Sequence, residues 1–305
     1  MIDVSIVIVS LNIKELLEKC LDSVFKNKES IKFEVFVSDN GSSDGTAEMV
    51  EKKFPQVKLL RNNANIGFGP GNNVAMKKAK GRYVLLLNPD TEIIQQNIFT
   101  EMVKWMDEHK DVGISSCALL NSDRTFQGSG GYFPTLIRVF LWMSFIDDLP
   151  FVDKLIKPYH PMHPWSFLHK NEGYFTKAHE QDWVTGAYYL IRDKAMKQVG
   201  YFDEDYFAYV EEVDYCYRTK EKGWKVWYLP KWKTIHYGQV TTGSEFAMTS
   251  EFKGLKLYYK KHMASWKMPV LRFLLKFGAL LRIIIFGLIK GSNTAKIYAK
   301  AFKQA

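Results

Sequence analysis

"RYVLLLNPDTEI", residues 82–93, runs through five apolar residues, Tyr83 to Leu87, and stops at Asn88-Pro89-Asp90. An unbroken apolar run bounded by a turn signal suits a strand covered on both faces, as in a parallel sheet between helix layers. Asp90 would then sit at the strand's carboxyl edge, where open α/β sheets keep their ligands. Working outward, "VSIVIVS" (4–10) precedes a helical stripe of Ile13, Leu16, Leu17, Cys20, Leu21, Val24 and Phe25, with Asn12 as its expected N-cap. Then come "FEVFVS" (33–38), a helix near 44–53 that Asp44 caps, "VKLL" (57–60) and a helix near 70–79 closed by Gly81. This strand–helix alternation predicts a parallel, right-handed α/β sheet, which a helix near 96–109 and "VGISSC" (112–117) extend.

From 128 to 180 the pattern gives way to Gly, Pro and aromatics ("GSGGYFP", "KPYHPMHPW"), read as a long excursion over a site, the alternative being a variable loop. His160 and His163 lie there among prolines without metal-ligand spacing and are expected at the surface. Regular structure returns with "WVTGAYYLI" (183–191), a helix from 193, a helix over 211–223 and two short strands, "WKVWYL" and "KTIHY".

A chain of 305 residues that is 47% apolar and 15% aromatic can build a sizeable core. Cys20, Cys117 and Cys216 lack CxxC spacing and read as buried small residues in a reducing cytosol. The opening "MIDVSIVIVS" has no basic n-region or cleavage site and reads as a first strand. Net charge is +9, but no acid follows Glu251 while twelve Lys and Arg do, which leaves residues 1–251 at −3. A nucleic-acid binder would carry its positive charge on the folded body, so that class is excluded.

Among motifs, "VSDNGSSDGT" puts Asp39 at a strand end, although Asp, Asn, Gly and Ser also dominate ordinary turns. "NNANIGFGPGNN" suggests a phosphate loop, yet GFGPG is not G-x-G-x-x-G and the first strand–helix turn has no glycine, which disfavours a dinucleotide fold. Ser10, Asp39 and Asp90 all fall at carboxyl ends of proposed parallel strands and would converge on one crevice. One Asp can accept from the N3–H of a uracil or thymine ring, and another can hold a divalent cation shared with a diphosphate.

"SIVIVSLN", "SDNGSSDGT", "NIGFGPGNN", "LLLNPD", "WVTGAYYLIR", "VGYFDEDYFAYVEEVDYCYR" and "IHYG", in this order over residues 3–240, resemble family 2 glycosyltransferases of the GT-A fold, especially the rhamnosyltransferase-like branch. The resemblance implies a mostly parallel nucleotide-binding sheet flanked by helices. It implies a nucleotide-sugar site of Ser10, Asn12, Asp39, Asn65, Gly67, Asn73, Asn88 and Asp90, with Asp39 on the base. Asn88-Pro89-Asp90 resembles the D-x-D element with Asn in place of the first acid. Asp90 and His236 are then the ligands of Mg2+ or Mn2+. In "YVEEVDYCYR" Glu212 takes the place of the catalytic base, with Glu211 and Asp214 as alternates; Trp183, Gly186 and Ala187 match a segment bordering donor and acceptor. The activity implied is an inverting, metal-dependent transfer of a rhamnose-like sugar from a dTDP- or UDP-sugar to a lipid-linked cell-surface glycan.

Residues 1–250 are read as this transferase domain, with a nucleotide-sugar half (1–118) and an acceptor half (119–250), and residues 251–305 as a basic amphipathic helical tail. Charge-free runs in 268–290 are too short to span a bilayer. At 100° per residue Arg272, Lys276, Arg282 and Lys290 fall within about 120°, opposite Leu274, Phe277, Leu281, Ile285 and Leu288. That pattern predicts a helix lying on an anionic membrane, which makes the protein cytoplasmic and peripheral on the inner face. The alternative is packing on the body or in a homodimer. Competing functions are a sugar nucleotidyltransferase, which needs a basic glycine-rich loop where this chain has "SLNIKE", and a nucleotide-sugar sensor lacking the base or metal ligand.

Overall fold

The computed structural model describes residues 1–149, 151–162, 172–238 and 244–305. Its first part follows the expected alternation: β1 (Val4–Ser10), α1 (Lys14–Lys26), β2 (Phe33–Asp39), α2 (Thr46–Lys53), β3 (Lys58–Arg61), α3 (Phe68–Met76) and β4 (Tyr83–Leu87). These strands lie side by side in the order β3-β2-β1-β4, all parallel, with Ser10 paired to Asp39. Asn12 does not cap α1; it adopts φ 48° and its side chain accepts from Ser43 N–H. The cap is Asp44, whose carboxylate accepts from Lys14 N–H at 3.1 Å and from Thr46 N–H at 3.0 Å, joining the starts of α1 and α2.

Next come β5 (Thr91–Ile93), α4 (Ile98–Glu108), β6 (Val112–Leu120), α5 (Leu136–Met143), α6 (Val152–Leu155), β7 (His179–Glu180), β8 (Tyr188–Arg192), α7 (Asp193–Val199), α8 (Glu211–Glu221) and β9 (Lys225–His236). Here antiparallel pairs join the parallel ones, so the sheet is mostly rather than wholly parallel, as the resemblance implies. β8 inserts antiparallel between β4 and β6, and the strand order runs on as β4-β8-β6-β9-β5. The two short strands expected near 224–237 are one strand, because a register shift opposite Cys117 and Ala118 absorbs Pro230. A bulge is where a strand tolerates a residue with no N–H. Helix α5 was hidden in the excursion, since eight residues lie below the length at which periodicity can be read.

Alternate residues of the strands face two cores. Ile6, Ile8, Val35, Val37, Leu85 and Leu87 pack against α1, α2 and α4. Val7, Phe36, Val84 and Leu86 face the other way, in a cluster that includes residues of α3, α5, α8 and three final helices: α9 (Ser244–His262), α10 (Lys267–Lys290) and α11 (Ser292–Gln304). The 250/251 boundary therefore falls inside α9, and the tail shares a core with the body.

Helix α10 corrects the expected amphipathic pattern. Arg282 is 1% exposed, and its guanidinium donates to the carbonyls of Met143 (2.7 Å), Trp142 (2.9 Å) and Gly278 (3.3 Å). Two of those carbonyls belong to the last turn of α5, where helical carbonyls lack intrahelical partners and a cation is favoured. Leu274 faces the body with Leu271, Leu275, Gly278, Ala279 and Phe286. Arg272, Lys276 and Lys290 form a separate exposed strip, and Val270, Phe273, Leu280, Ile284 and Leu288 an exposed apolar one within about 80° of arc. The helix thus has three faces where the sequence suggested two.

Candidate active site

The crevice is built at the carboxyl ends of β1, β2 and β4. The Asp39 carboxylate accepts from Ser10 Oγ (3.1 Å), Ser42 Oγ (2.6 Å) and Ser42 N (3.0 Å). A carboxylate offers about four acceptor positions, so about one remains after these three bonds. Asn40, which motif reading passed over, ties the strand end to the next loop: its amide donates to Gly67 O (3.0 Å) and Asn65 Oδ1 (3.4 Å) and accepts from Asn62. Gly67 has φ +96°, and a Cβ there would lie 2.4 Å from Phe207 O, so only glycine fits. Asn65 holds the loop by accepting from Gly67 N–H. Asn73 stands apart from the crevice-facing residues: it is buried, and its amide is occupied by Phe202 and Glu204.

After β4 the chain turns at once, with Thr91 N–H donating to Asn88 O at 3.2 Å and Pro89 at the position whose fixed φ suits such a turn. Pairing of Thr91 with His236 then sets β5 against the end of β9. It brings Asp90 Oδ1 within 3.3 Å of His236 Nε2, which is also 3.3 Å from Asn88 Nδ2. Gln127 fixes the imidazole. Its amide nitrogen donates to Asn121 Oδ1 and His236 O, so its oxygen faces His236 Nδ1 at 2.9 Å and that nitrogen carries the proton. Nε2 is thereby turned toward the Asp90 carboxylate, as in a metal-binding histidine held by an outer partner. Among the described residues no group of three or more acids, histidines or cysteines forms a fuller cation cage. Asp90 and His236 suit a cation that takes its remaining ligands from a diphosphate.

On the far side of β4, Ala187 O accepts from Asn88 N–H, and a Cβ on Gly186 would press on the Phe68 ring at 3.0 Å. Trp183 is buried with its indole N–H unpartnered. Two residues past Ala187, the Tyr189 hydroxyl donates to Glu212 O at 3.4 Å, which ties the start of α8 to the same edge of the sheet. Tyr209 (φ 69°) and Val210 (φ 72°) precede α8 in left-handed conformations, and a β-branched residue adopts φ > 0 only where the surroundings force it. This strained turn aims the three candidate acids. Asp214 is fully committed to the protein, accepting from His262 (2.6 Å), Arg218 (2.8 Å) and Tyr206 (3.4 Å). Glu211 is 4% exposed, and burial with the charge of Glu212 pushes its carboxyl well up from the ordinary range. Glu212 is partly exposed, with its Oε2 enclosed and unpartnered; burial, with the charge of Glu251, pushes its carboxyl up to about 7.

The cysteines are buried away from any reactive role, each pushed up to about 12 by burial. His160 departs from its expected surface place: it is half-buried and paired with Glu251 at 2.8 Å, while His163 lies outside the described residues. Ser42 could have been foreseen from its place three residues after Asp39, a common local turn bond. Gln127 and Glu251 reach the site from far along the chain and leave no local signal.

Residues 5–200 match the sequence pattern described as "Glycosyl transferase family 2". The chain belongs to that family. Its relatives include the N-acetylglucosaminyl-diphospho-decaprenol L-rhamnosyltransferase of Mycobacterium tuberculosis, 26% identical over 81% of each chain. Rhamnosyltransferase WbbL of Escherichia coli K12 is 23% identical over 80% of this chain and 87% of its own. Among solved structures, the mannosyltransferase PcManGT of Pyrobaculum calidifontis, in complex with GDP-Man and Mn2+, aligns over 97% of this chain and 78% of its own with a TM-score of 0.57 at 15% identity. GalNAc-T7 with UDP, GalNAc and Mn2+ aligns over 99% of this chain and 55% of its own, with a TM-score of 0.64 at 16% identity. The fold is thus that of GT-A glycosyltransferases, and the enzyme is a rhamnosyltransferase-like member of family 2.

Proposed function

We propose that this enzyme moves a rhamnose-like sugar from a dTDP- or UDP-sugar to a hydroxyl of a lipid-linked glycan, with inversion, at the inner face of the cell membrane. The observation that carries the reading is the approach of Asp90 to an imidazole whose Nε2 is turned toward it, at the edge of the sheet that also bears Asp39. Asp39, held by Ser10 and Ser42, accepts from the base, while the Asn12, Asn65 and Gly67 loops close around the nucleotide. Asp90 and His236, with Asn88 beside them, would hold Mg2+ or Mn2+, which would supply positive charge against the departing diphosphate. Glu212 takes the acceptor's proton. A base titrating near 7 is ionised in about half the molecules at neutral pH and strong enough to assist attack. Gly186 and Ala187 leave room beside Asn88, and Trp183 walls the acceptor side. Holding donor and acceptor in line completes a single displacement.

The acceptor class rests on the mycobacterial relative, whose name places its substrate on decaprenol diphosphate. Among the described residues no helix is long and apolar enough to cross a membrane. A lipid-linked acceptor calls instead for a docking face, and the exposed apolar strip of α10 beside Arg272, Lys276 and Lys290 suits an anionic leaflet. The test is nucleoside-diphosphate release from UDP-, dTDP- and GDP-sugars with Mn2+, Mg2+ or EDTA, for wild type, Asp90→Ala and Glu212→Gln. Metal-dependent turnover of one donor, lost in both variants, is expected. No turnover with any donor, even with membrane extract as acceptor source, would replace the enzyme reading with a nucleotide-sugar sensor.

A further inference from the structure

His160 and Glu251 form a hydrogen-bonded pair that the proposed reaction does not yet use. His160 Nε2 lies 2.8 Å from Glu251 Oε1, with the two side chains 20% and 16% exposed. The imidazole is packed by Tyr159 (4.0 Å between ring centres), Trp142 (5.2 Å) and Trp183 (5.5 Å), the last of which walls the acceptor side. A second contact brings the pair to the base. Gly254 lies so close to the strained turn that a Cβ on it would stand 2.7 Å from both Tyr209 O and Val210 Cγ2. Glu251, one helical turn earlier on α9, therefore stands over the first turn of α8, which carries Glu212.

We propose that the His160–Glu251 pair is a positioning element that sets the charge state of Glu212. The proposal rests on Glu212 being the base. The groups around Glu212 divide clearly. On its own helix, burial and Glu212 push the Glu211 carboxyl well up, and Asp214 is engaged by Arg218 and His262. Tyr189 of β8 and Tyr159 of the excursion are phenols that burial keeps protonated. Cys216 is likewise an uncharged thiol. Arg282 of α10 and Asp147 and Asp148 of the 146–148 turn are charged neighbours of the pair: the arginine faces Glu251 and both aspartates, and Asp147 also faces His160. Among the described residues, the charged groups that act on Glu212 are then Glu251, which favours its protonated form, and His160, which opposes that. A protonated His160 cancels Glu251 and leaves Glu212 free to ionise. A neutral one leaves the Glu251 charge bare and holds the proton on Glu212.

The pair predicts shifts of opposite sign. Infrared difference titration reads the Glu212 carboxyl without any substrate, its band assigned by subtracting the Glu212→Gln spectrum. His160→Gln should raise the Glu212 midpoint and Glu251→Gln should lower it, each on the order of one pH unit, with the double variant between them. Glu251→Asp keeps the charge and should stay near wild type. The acidic limb of kcat/KM, measured with dTDP-rhamnose and N-acetylglucosaminyl-diphospho-decaprenol, should move in the same order. Shifts of the same sign, or none, would overturn the proposal whether or not the variants turn over. Should Glu212→Gln itself retain transfer while the infrared order holds, the base assignment fails and the electrostatic link stands.

Discussion

Replacing Arg282 by methionine separates the two roles that a basic tail helix can play. The side chain makes two short bonds to the carbonyls of Met143 and Trp142 and a longer one to Gly278, and its guanidinium carbon stands 4.2 Å from the centre of the Phe145 ring. Hydrogen bonds involving a charged group contribute about 1.5–3 kcal/mol each, so the two short bonds amount to about 3–6 kcal/mol gross. Methionine fills the stem's volume and relieves the desolvation of a buried cation, which offsets part of that loss. A net destabilisation of about 2–4 kcal/mol is expected, read as a fall in urea midpoint at unchanged slope. Binding of the folded protein to phosphatidylglycerol vesicles should stay within twofold of wild type. Lys276→Gln should do the reverse, leaving the midpoint in place and weakening vesicle binding about fivefold, as expected for loss of about 1 kcal/mol at an anionic surface. If Arg282→Met kept its stability and lost vesicle binding, the arginine would be a lipid-facing residue and the anchoring of α10 on α5 would be refuted.

Gly67→Ala forces a Cβ against Phe207 O in a left-handed conformation, and should raise the donor KM on the order of tenfold in steady-state assays with little change in kcat. Glu212→Gln should stabilise the fold at alkaline pH. With its carboxyl up at about 7 against an ordinary 4.5, the folded protein holds a proton that the unfolded chain has lost, so wild-type stability falls as pH rises from about 4.5 to 7. The variant lacks that loss and should gain on the order of 2 kcal/mol at pH 8 and nothing near pH 4, by urea unfolding at both. His236→Gln and Asp90→Ala should each abolish the uptake of Mn2+ that accompanies UDP or dTDP binding, followed by electron paramagnetic resonance of the free ion; uptake persisting in both would remove these residues from the metal site.

The first half of the fold was legible because β1, β2 and β4 are covered on both faces and written as unbroken apolar runs. The placement of β8 was not. "YYLIR" is equally apolar whether it pairs parallel or antiparallel, and its slot beside β4 is decided by where the excursion lets the chain return. The tail misled for a related reason: α10 buries one apolar face and exposes another, and a wheel drawn from sequence cannot tell them apart. Arg282 falls near the basic strip by angle yet turns into the core, since the last carbonyls of α5 await it there. At the site, acids at strand ends announced themselves through position. The groups that tune them, Gln127 on His236 and His160 with Glu251 on Glu212, come from segments joined only by folding.

Gly254 carries a consequence for the order in which the enzyme comes into being. The left-handed turn at Tyr209 and Val210 is held shut by a helix that begins more than thirty residues later. During synthesis β9, which brings His236 to Asp90, emerges before α9, so the strand edge with Asp39, Asp90 and His236 can be complete while α8 still lacks the surface that holds its first turn. On the proposed reading, a nascent chain would complete its nucleotide edge before its base, and the base would be seated by α9, which leads into the helix proposed to meet the lipid.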